Sequence, residues 1–283
     1  MIGVVGARGF IGNALSSFLI SQGEEVVEYT STEPIFNDQG LVSNFDKLNQ
    51  IVWCASKVNP SSASTHPDLV EQDIANWNIF ISLLKMNKSK KPRIIFLSSA
   101  GCTYSDTNLP FNEQSAAEGT NAYGKLKIRI EELLNSSGLD FVIIRLSNVY
   151  GSDQPRGRGQ GVLAEWIGAI KESAPIKVFG SLTQFRDYIH ILDVCRAINI
   201  ILKSSLNKEI FNIGSGEATS LKDILEIFQE TGVTIPETQI FPARGFDRHG
   251  YYLDIGKITT STHWSPSTPT RVGISELVQK SRV

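Results

Sequence analysis

Tyr123 and Lys127, in the run Asn121-Ala-Tyr-Gly-Lys-Leu-Lys127, stand four residues apart and so share one face of a helix. An ammonium beside a phenol favours the phenolate and lowers a pKa of about 10, making the tyrosine a proton acceptor or donor near neutrality. Such pairs are common in helices. This one gains weight from Ser98-Ser99, which end the preceding apolar strand where a doubly wound sheet presents its ligand-binding groups. A second signal lies in Gly6-Ala-Arg8-Gly9-Phe10-Ile11-Gly12. Glycines let the chain turn tightly and bring backbone N–H groups to a pyrophosphate with no Cβ in the way. The N-terminus of the helix that follows adds partial positive charge.

These residues need a scaffold, and the first half of the chain spells one out. Ile2–Val5, Glu25–Tyr29, Ile51–Cys54, Arg93–Ser98 and Asp140–Leu146 are short runs rich in Val, Ile and Phe, as strands are. Between them lie segments of helical period, such as Asp68–Asn87 with Val70, Ile74, Trp77, Ile81 and Leu84 on one face. Strands separated by helices imply right-handed crossovers and a parallel sheet covered on both sides. The expected class is therefore α/β, a doubly wound parallel sheet with a smaller C-terminal lobe. Past residue 150 the texture changes: Gly151–Gly161 holds four glycines and is expected to be a mobile loop. Helices follow near Val162–Glu172, Asp193–Ser204 and Ser220–Thr231, with strands near Lys177–Phe179 and Glu209–Ile213. From Thr234 onward the chain is richer in Pro and turn residues. The expected division is residues 1–150 for the dinucleotide and 151–283 for a substrate lobe. The Glu209–Ile213 strand offers a segment of about 187–214 a route back to the main sheet.

Composition narrows the partners. With 27 Lys plus Arg against 29 Asp plus Glu, the net charge of -2 gives no electrostatic footing for nucleic acid or an anionic membrane. Cys54, Cys102 and Cys195 are too few and too scattered for a disulfide framework or a zinc cluster, which fits a reducing cytosol. No apolar run approaches the ~18 residues of a spanning helix, and a soluble, unprocessed cytoplasmic protein is expected. His66, His190, His249 and His263 never fall at ligand spacing, so no metal is expected, and no Gly-x-Ser-x-Gly elbow suggests a hydrolase. Arg156-Gly-Arg158 fits a substrate-side lid better than an RNA contact.

The end of the second strand bears on which dinucleotide would bind. NAD calls for an acid there, accepting from the ribose 2′-hydroxyl. Thr30 occupies that place, with Glu28 two residues earlier. The hydroxyl run Thr30-Ser31-Thr32, together with Arg8, would suit a 2′-phosphate, so the expectation is NAD or NADP with a lean towards NADP.

With these residues in order, the chain resembles the extended short-chain dehydrogenases/reductases of the NAD-dependent epimerase/dehydratase family, whose members mostly modify nucleotide-activated sugars on a Rossmann sheet. The likeness takes in the Gly6–Gly12 loop, Trp53-Cys-Ala55, Ser98-Ser-Ala-Gly-Cys-Thr-Tyr104, the Tyr123/Lys127 pair and Arg145-Leu-Ser-Asn-Val-Tyr-Gly151. It continues through Val178-Phe-Gly180, Arg186-Asp-Tyr-Ile-His190, Asp193, Phe211-Asn-Ile-Gly-Ser-Gly216 and Trp264-Ser-Pro266. The resemblance implies that Tyr123 is the acid/base, that Lys127 holds the nicotinamide ribose and tunes Tyr123, and that Ser99 hydrogen-bonds the reacting oxygen. Gly6, Arg8, Gly9, Phe10, Ile11, Gly12, Thr30, Ser31, Ala55 and Ser98 would hold the cofactor. Asn148, Arg186, Arg244 and Asp247 would hold the nucleotide diphosphate of the sugar substrate, and guanidinium forks suit its phosphate oxygens. A homodimer through the helices near Asp68–Asn87 and Asn121–Ser136 is implied by the resemblance alone.

Departures from the family pattern shape the expected reaction. Where many relatives carry the active-site hydroxyl stands Ala100, so the hydroxyl must come from Ser99 or Thr103. Ala100-Gly-Cys102 lacks the Thr-Asp-Glu of sugar dehydratases, which argues against water elimination, and Cys102 reads as a packing thiol rather than an acid/base. The leading expectation is an NAD(P)-dependent nucleotide-sugar epimerase acting through a transient keto sugar. The alternatives are an NADPH-dependent keto-sugar reductase and, from another class, a non-catalytic dinucleotide sensor.

Overall fold

The computed structural model describes every residue of the 283 except Lys90, Phe246, Asp247, Arg282 and Val283. Its chain divides into two compact units: Met1–Ser105 with Ala116–Leu146 and Cys195–Phe211, and Asp106–Ser115 with Ser147–Val194 and Asn212–Val283.

The first unit is organised by strands β1 (Ile2–Val5), β2 (Val26–Tyr29), β3 (Gln50–Trp53), β4 (Arg93–Ser99) and β5 (Phe141–Leu146), with β6 (Glu209–Ile213) as the last member of the same sheet. They lie in the order β6-β5-β4-β3-β1-β2. The pairings β1–β2, β1–β3, β3–β4 and β4–β5 are all parallel. Every residue of β1 and of β5 is buried, as a strand covered by helices on both faces must be, which is why these strands read as unbroken apolar runs. The strand order reverses between β1 and β3. In an open α/β sheet that switch point leaves a crevice beyond the carboxyl ends of the strands.

Helix Pro67–Met86 lays Trp77, Phe80, Ile81 and Leu84 onto the sheet, where Trp77 meets Trp53 at 4.4 Å and Phe96 at 5.2 Å between ring centroids. The segment around helix Ile191–Lys203 is held to the amino end of β4 by one side chain: Arg93 donates to the carbonyls of Ile201, Leu202, Ser204 and Leu206. A guanidinium at a helix C-terminus satisfies carbonyls that have no partner within the helix.

The second unit has its own core of Trp166, Ile224, Phe228, Ile274 and Leu277. Strand Asn148–Tyr150 pairs in parallel with Tyr188–His190, and Ile176–Phe179 with Thr238–Phe241. The tail, richer in Pro and turn residues, also holds elements that were not read from the sequence: strand Thr238–Phe241 and helices Gly256–Thr262 and Thr270–Lys280. The last of these starts directly after Pro269 and buries Ile274, Leu277 and Val278, a short stripe that the surrounding Ser, Thr and Pro residues hide in the sequence.

Candidate active site

The glycine loop closes β1 and opens helix Phe10–Ser21. Gly6 has φ +87, a left-handed conformation, and a Cβ there would come within 2.9 Å of the Ala55 backbone nitrogen. A Cβ on Gly12 would lie 2.2 Å from the Gly6 carbonyl oxygen. These two glycines serve the loop's own packing and its contact with the end of β3. Gly9 differs: a Cβ there would meet only the Gly6 oxygen, at 3.2 Å. Gly9 is also the N-cap, with no side-chain cap bond and no acid in the first turn, so the helix's leading N–H groups have no side-chain acceptor. An exposed, uncapped N-terminus beside a cradle that a side chain would fill is what a dinucleotide's diphosphate requires. The residues fit that group, with Arg8 and Gly9 exposed and Phe10 and Ile11 half-buried.

At the end of β2, Thr30 closes a turn: its N–H donates to the Glu33 carbonyl (3.0 Å) and its Oγ1 accepts from the Glu33 N–H (3.1 Å). Ser31 is exposed on that turn. Glu28 sits inside the strand opposite Val4 rather than at its end.

Helix Ala122–Asn135 carries Tyr123 and Lys127. Asn121 caps it by accepting from the Gly124 N–H at 2.9 Å, and its amide also contacts the Cys102 sulfur at 3.5 Å. Gly124 lets the helix close on the one-turn helix Ala100–Thr103, since a Cβ there would be 1.9 Å from the Cys102 carbonyl oxygen. Cys102 is thus engaged in packing the two helices together. Lys127 is buried, and its ammonium donates to the Leu97 carbonyl at 3.0 Å while lying 5.4 Å from the centre of the Tyr123 ring.

The expected lowering of the Tyr123 pKa is corrected. Burial pushes the phenol above its ordinary value, and Cys102 and Asp73 push it the same way. Lys127 itself is brought down to about 8 by burial, opposed by the negative charges of Asp73 and Glu131 and by Cys54 and Cys102.

The two candidate hydroxyls separate cleanly. Thr103 is fully buried and donates to the Ser99 carbonyl at 2.6 Å, whereas Ser99 is half-buried and makes no cap bond with its side chain. Ser98, on the opposite face of β4, donates instead to Glu131 at 2.6 Å, so only its backbone remains to meet a cofactor. Two acids were not singled out from the sequence. Asp73 accepts from Ser56 Oγ and from the Lys57 N–H, both at 2.8 Å, fixing the loop after β3. Its signal was a carboxylate within the apolar stripe of its helix, one position before Ile74. Glu131 lies two turns beyond Tyr123 on the same face.

In the second unit the candidate arginines hold the chain's own backbone. Arg186 donates to the carbonyls of Phe185 (2.8 Å), His249 (3.1 Å) and Arg248 (2.8 Å), and its guanidinium lies 6.0 Å from the Tyr251 ring. Tyr251 in turn donates to Asn148 Oδ1 at 3.2 Å. Arg186 and Asn148 therefore converge on Tyr251. Arg244 donates to the Gly159 carbonyl at 3.0 Å and lies over Phe179, which ties the glycine-rich loop expected to be mobile. That loop is also joined by Arg156 to Glu172 and by the Gly157 N–H to Glu165. Asp247 lies outside the described residues.

Asp187, passed over in the sequence, is the keystone here. Fully buried, it accepts from the Ser215 N–H (2.7 Å) and hydroxyl (2.9 Å) and from the N–H groups of Gly216 (3.0 Å) and Leu253 (3.2 Å). Its signal was its place beside Arg186 in a run otherwise apolar or aromatic. Among the described residues no three His, Cys, Asp or Glu side chains gather as metal ligands, and no helix is long and apolar enough to cross a membrane.

A doubly wound sheet with a glycine loop at its switch point and a half-buried tyrosine one turn from a buried lysine fits a nucleotide-dependent enzyme of the dehydrogenase type. The sequence signature of the NAD dependent epimerase/dehydratase family matches residues 2–214, and the chain belongs to that family. It is 29% identical to a putative UDP-glucose 4-epimerase of Methanocaldococcus jannaschii, over 98% of this chain and 97% of the relative. It is 26% identical to the dTDP-4-dehydro-6-deoxyglucose reductase of Escherichia coli, over 99% of this chain and 96% of the relative. Its fold matches that of the Thermus thermophilus UDP-glucose 4-epimerase solved in complex with NAD, with a TM-score of 0.86, 22% identity and coverage of 99% of this chain and 98% of that one.

Proposed function

We propose that the protein is an NAD(P)-dependent nucleotide-sugar epimerase. The observation that carries this reading is that one sheet ends one strand in an uncapped glycine-loop helix and another in the Ser99 hydroxyl, with the half-buried Tyr123 and buried Lys127 on the helix bonded to that second strand at Leu97. The nicotinamide, when bound, supplies the hydride acceptor and donor. Tyr123 takes the proton of the sugar hydroxyl being oxidised and returns one to the keto oxygen. The upward-shifted phenol is well suited to the second task, and the first depends on Lys127 staying an ammonium. Ser99 hydrogen-bonds the reacting oxygen, and Asn148, Arg186, Arg244 and Asp247 serve the nucleotide diphosphate. Rebinding the keto sugar by its other face before reduction yields the epimer.

A keto-sugar reductase is the second reading, favoured by the likeness to the Escherichia coli reductase and by the absence of an acid at Thr30. That threonine, with Ser31 and the exposed Arg8, also favours NADP over NAD. A homodimer through helix Pro67–Met86 fits its exposed Ile79 and Met86, and a cytoplasmic setting fits the three free cysteines.

An epimerase interconverts UDP- or dTDP-sugars with catalytic cofactor, whereas a reductase consumes one NADPH per turnover. Consumption of NADPH with no epimer formed would replace the first reading by the second. Tyr123→Phe is expected to lower kcat by roughly 10²–10⁴-fold while leaving dinucleotide affinity within about threefold. Unchanged turnover would remove Tyr123 from the chemistry.

A further inference from the structure

Behind the proton-transfer pair lies a buried ionic cluster that the mechanism above does not use. Glu131 projects from the same face of helix Ala122–Asn135 as Tyr123 and Lys127, and both it and Arg145 are almost wholly buried. Its Oε1 accepts from Ser98 Oγ (2.6 Å) and Arg145 Nε (3.2 Å), and its Oε2 accepts from Arg145 Nη2 (2.6 Å). Arg145 stands on β5 directly opposite Ser98 on β4, with its guanidinium 4.8 Å from the Tyr104 ring centre. Three consecutive residues at the end of β4 are therefore gripped: Leu97 by Lys127, Ser98 by Glu131, and Ser99 by Thr103.

As a source of stability this cluster is a poor choice. Arg145 Nη1 is buried with no hydrogen-bond partner, and a well-packed apolar pair usually costs less than two charges taken from water. What apolar contacts cannot do is fix the helix along its axis against the strand end that carries Ser99, or place a negative charge one turn from the Lys127 ammonium. We propose that Glu131 is a positioning residue: through Ser98 and Arg145 it sets the register of Tyr123 and Lys127 against Ser99 and holds a carboxylate one turn from the Lys127 ammonium. Lys127 is faced also by Asp73 from helix Pro67–Met86, by Cys54 after β3, by Cys102 and by Tyr123. Of these groups only Glu131 also joins the helix to two strands.

The catalytic half of this inference rests on the activity proposed above, so the experiment reads Lys127 directly as well as turnover. The Nζ of Lys127 is titrated by 15N NMR in the parental protein, Glu131→Gln and Glu131→Asp, and kcat and KM for sugar-nucleotide conversion are measured alongside. In Glu131→Gln both the lost carboxylate and the uncompensated Arg145 disfavour the ammonium, so the Lys127 midpoint falls by about one pH unit. The alkaline limb of kcat follows it, and kcat drops about tenfold to a hundredfold with KM within about threefold. Glu131→Asp keeps the charge but not the reach, so the midpoint stays near the parental value while kcat still falls. Should Glu131→Gln fail to fold, the double variant Glu131→Gln/Arg145→Met, which leaves no charge unpaired, is read by kcat, which still falls because the link to both strands is gone, while the Lys127 midpoint moves less because a carboxylate and a guanidinium leave together. A parental midpoint and a parental kcat in the Gln variant overturn the proposal. If Tyr123→Phe turns over normally, the activity reading fails instead, while the Lys127 titration still decides whether Glu131 holds its charge.

Discussion

The two units hold their polar groups in place in opposite ways. In the first, the loop from Gly6 to Gly12 offers backbone: Gly6 and Gly12 lack side chains because the fold leaves no room, whereas a Cβ on Gly9 would press only on the Gly6 carbonyl, at 3.2 Å. In the second, long side chains cross-link the chain, with Arg186 on the carbonyls of 248 and 249, Arg244 on Gly159, and Asp187 on the N–H groups of 215, 216 and 253. A site built from backbone is local in sequence and rigid once its glycines are in place. A framework built from side-chain latches is assembled from distant segments, and its arginines spend donors on the protein's own carbonyls.

The contrast can be broken first at Gly12. Gly12→Ala drives a methyl group into the Gly6 carbonyl, and a loss of about 3 kcal/mol or more is expected in denaturant unfolding, with dinucleotide binding abolished. A variant as stable as the parent would show that the loop can shift and is not fixed by packing.

Asp187→Asn should come next. An amide turned towards the N–H groups of Gly216 and Leu253 sets donors against donors, costing about 2–3 kcal/mol and lowering Tm. Wild-type stability would mean that the latch is dispensable.

Arg186→Lys removes the fork that spans the Arg248 and His249 carbonyls, and about 1–2 kcal/mol should be lost together with sugar-nucleotide affinity. If affinity falls while stability does not, Arg186 serves the ligand more than the backbone.

Gly9→Ala sharpens the comparison by doing least to the fold. Its single contact at 3.2 Å predicts a stability change under about 1 kcal/mol, against a marked loss of dinucleotide affinity by titration. Equal affinity would assign Gly9 to the turn rather than to the ligand.

Much of the first unit was legible because its signals are contiguous. Strand, glycine loop and helix follow one another within Ile2–Ser21, and the Tyr123/Lys127 spacing is a property of one helix. The ionisation of that pair was not legible. Helical spacing placed the ammonium near the phenol, but the direction of the Tyr123 shift depends on how much water is excluded. Ser98 and Ser99 look alike as neighbours in sequence, yet strand alternation sends one hydroxyl to Glu131 and leaves the other half-buried. In the tail, helix Thr270–Lys280 went unread because it gains its stability from packing against the second core, which its own composition does not announce.

By itself, then, the order of residues determined the parallel sheet, the glycine loop and the shared helix face of Tyr123 and Lys127, since each follows from periodicity or from a conformation only glycine adopts. Tertiary structure alone decided which acids matter. Asp73, Glu131 and Asp187 are ordinary carboxylates in sequence, and what distinguishes them is burial among N–H, hydroxyl and guanidinium donors brought from other segments. A charge removed from water is tolerated only where the fold supplies those partners.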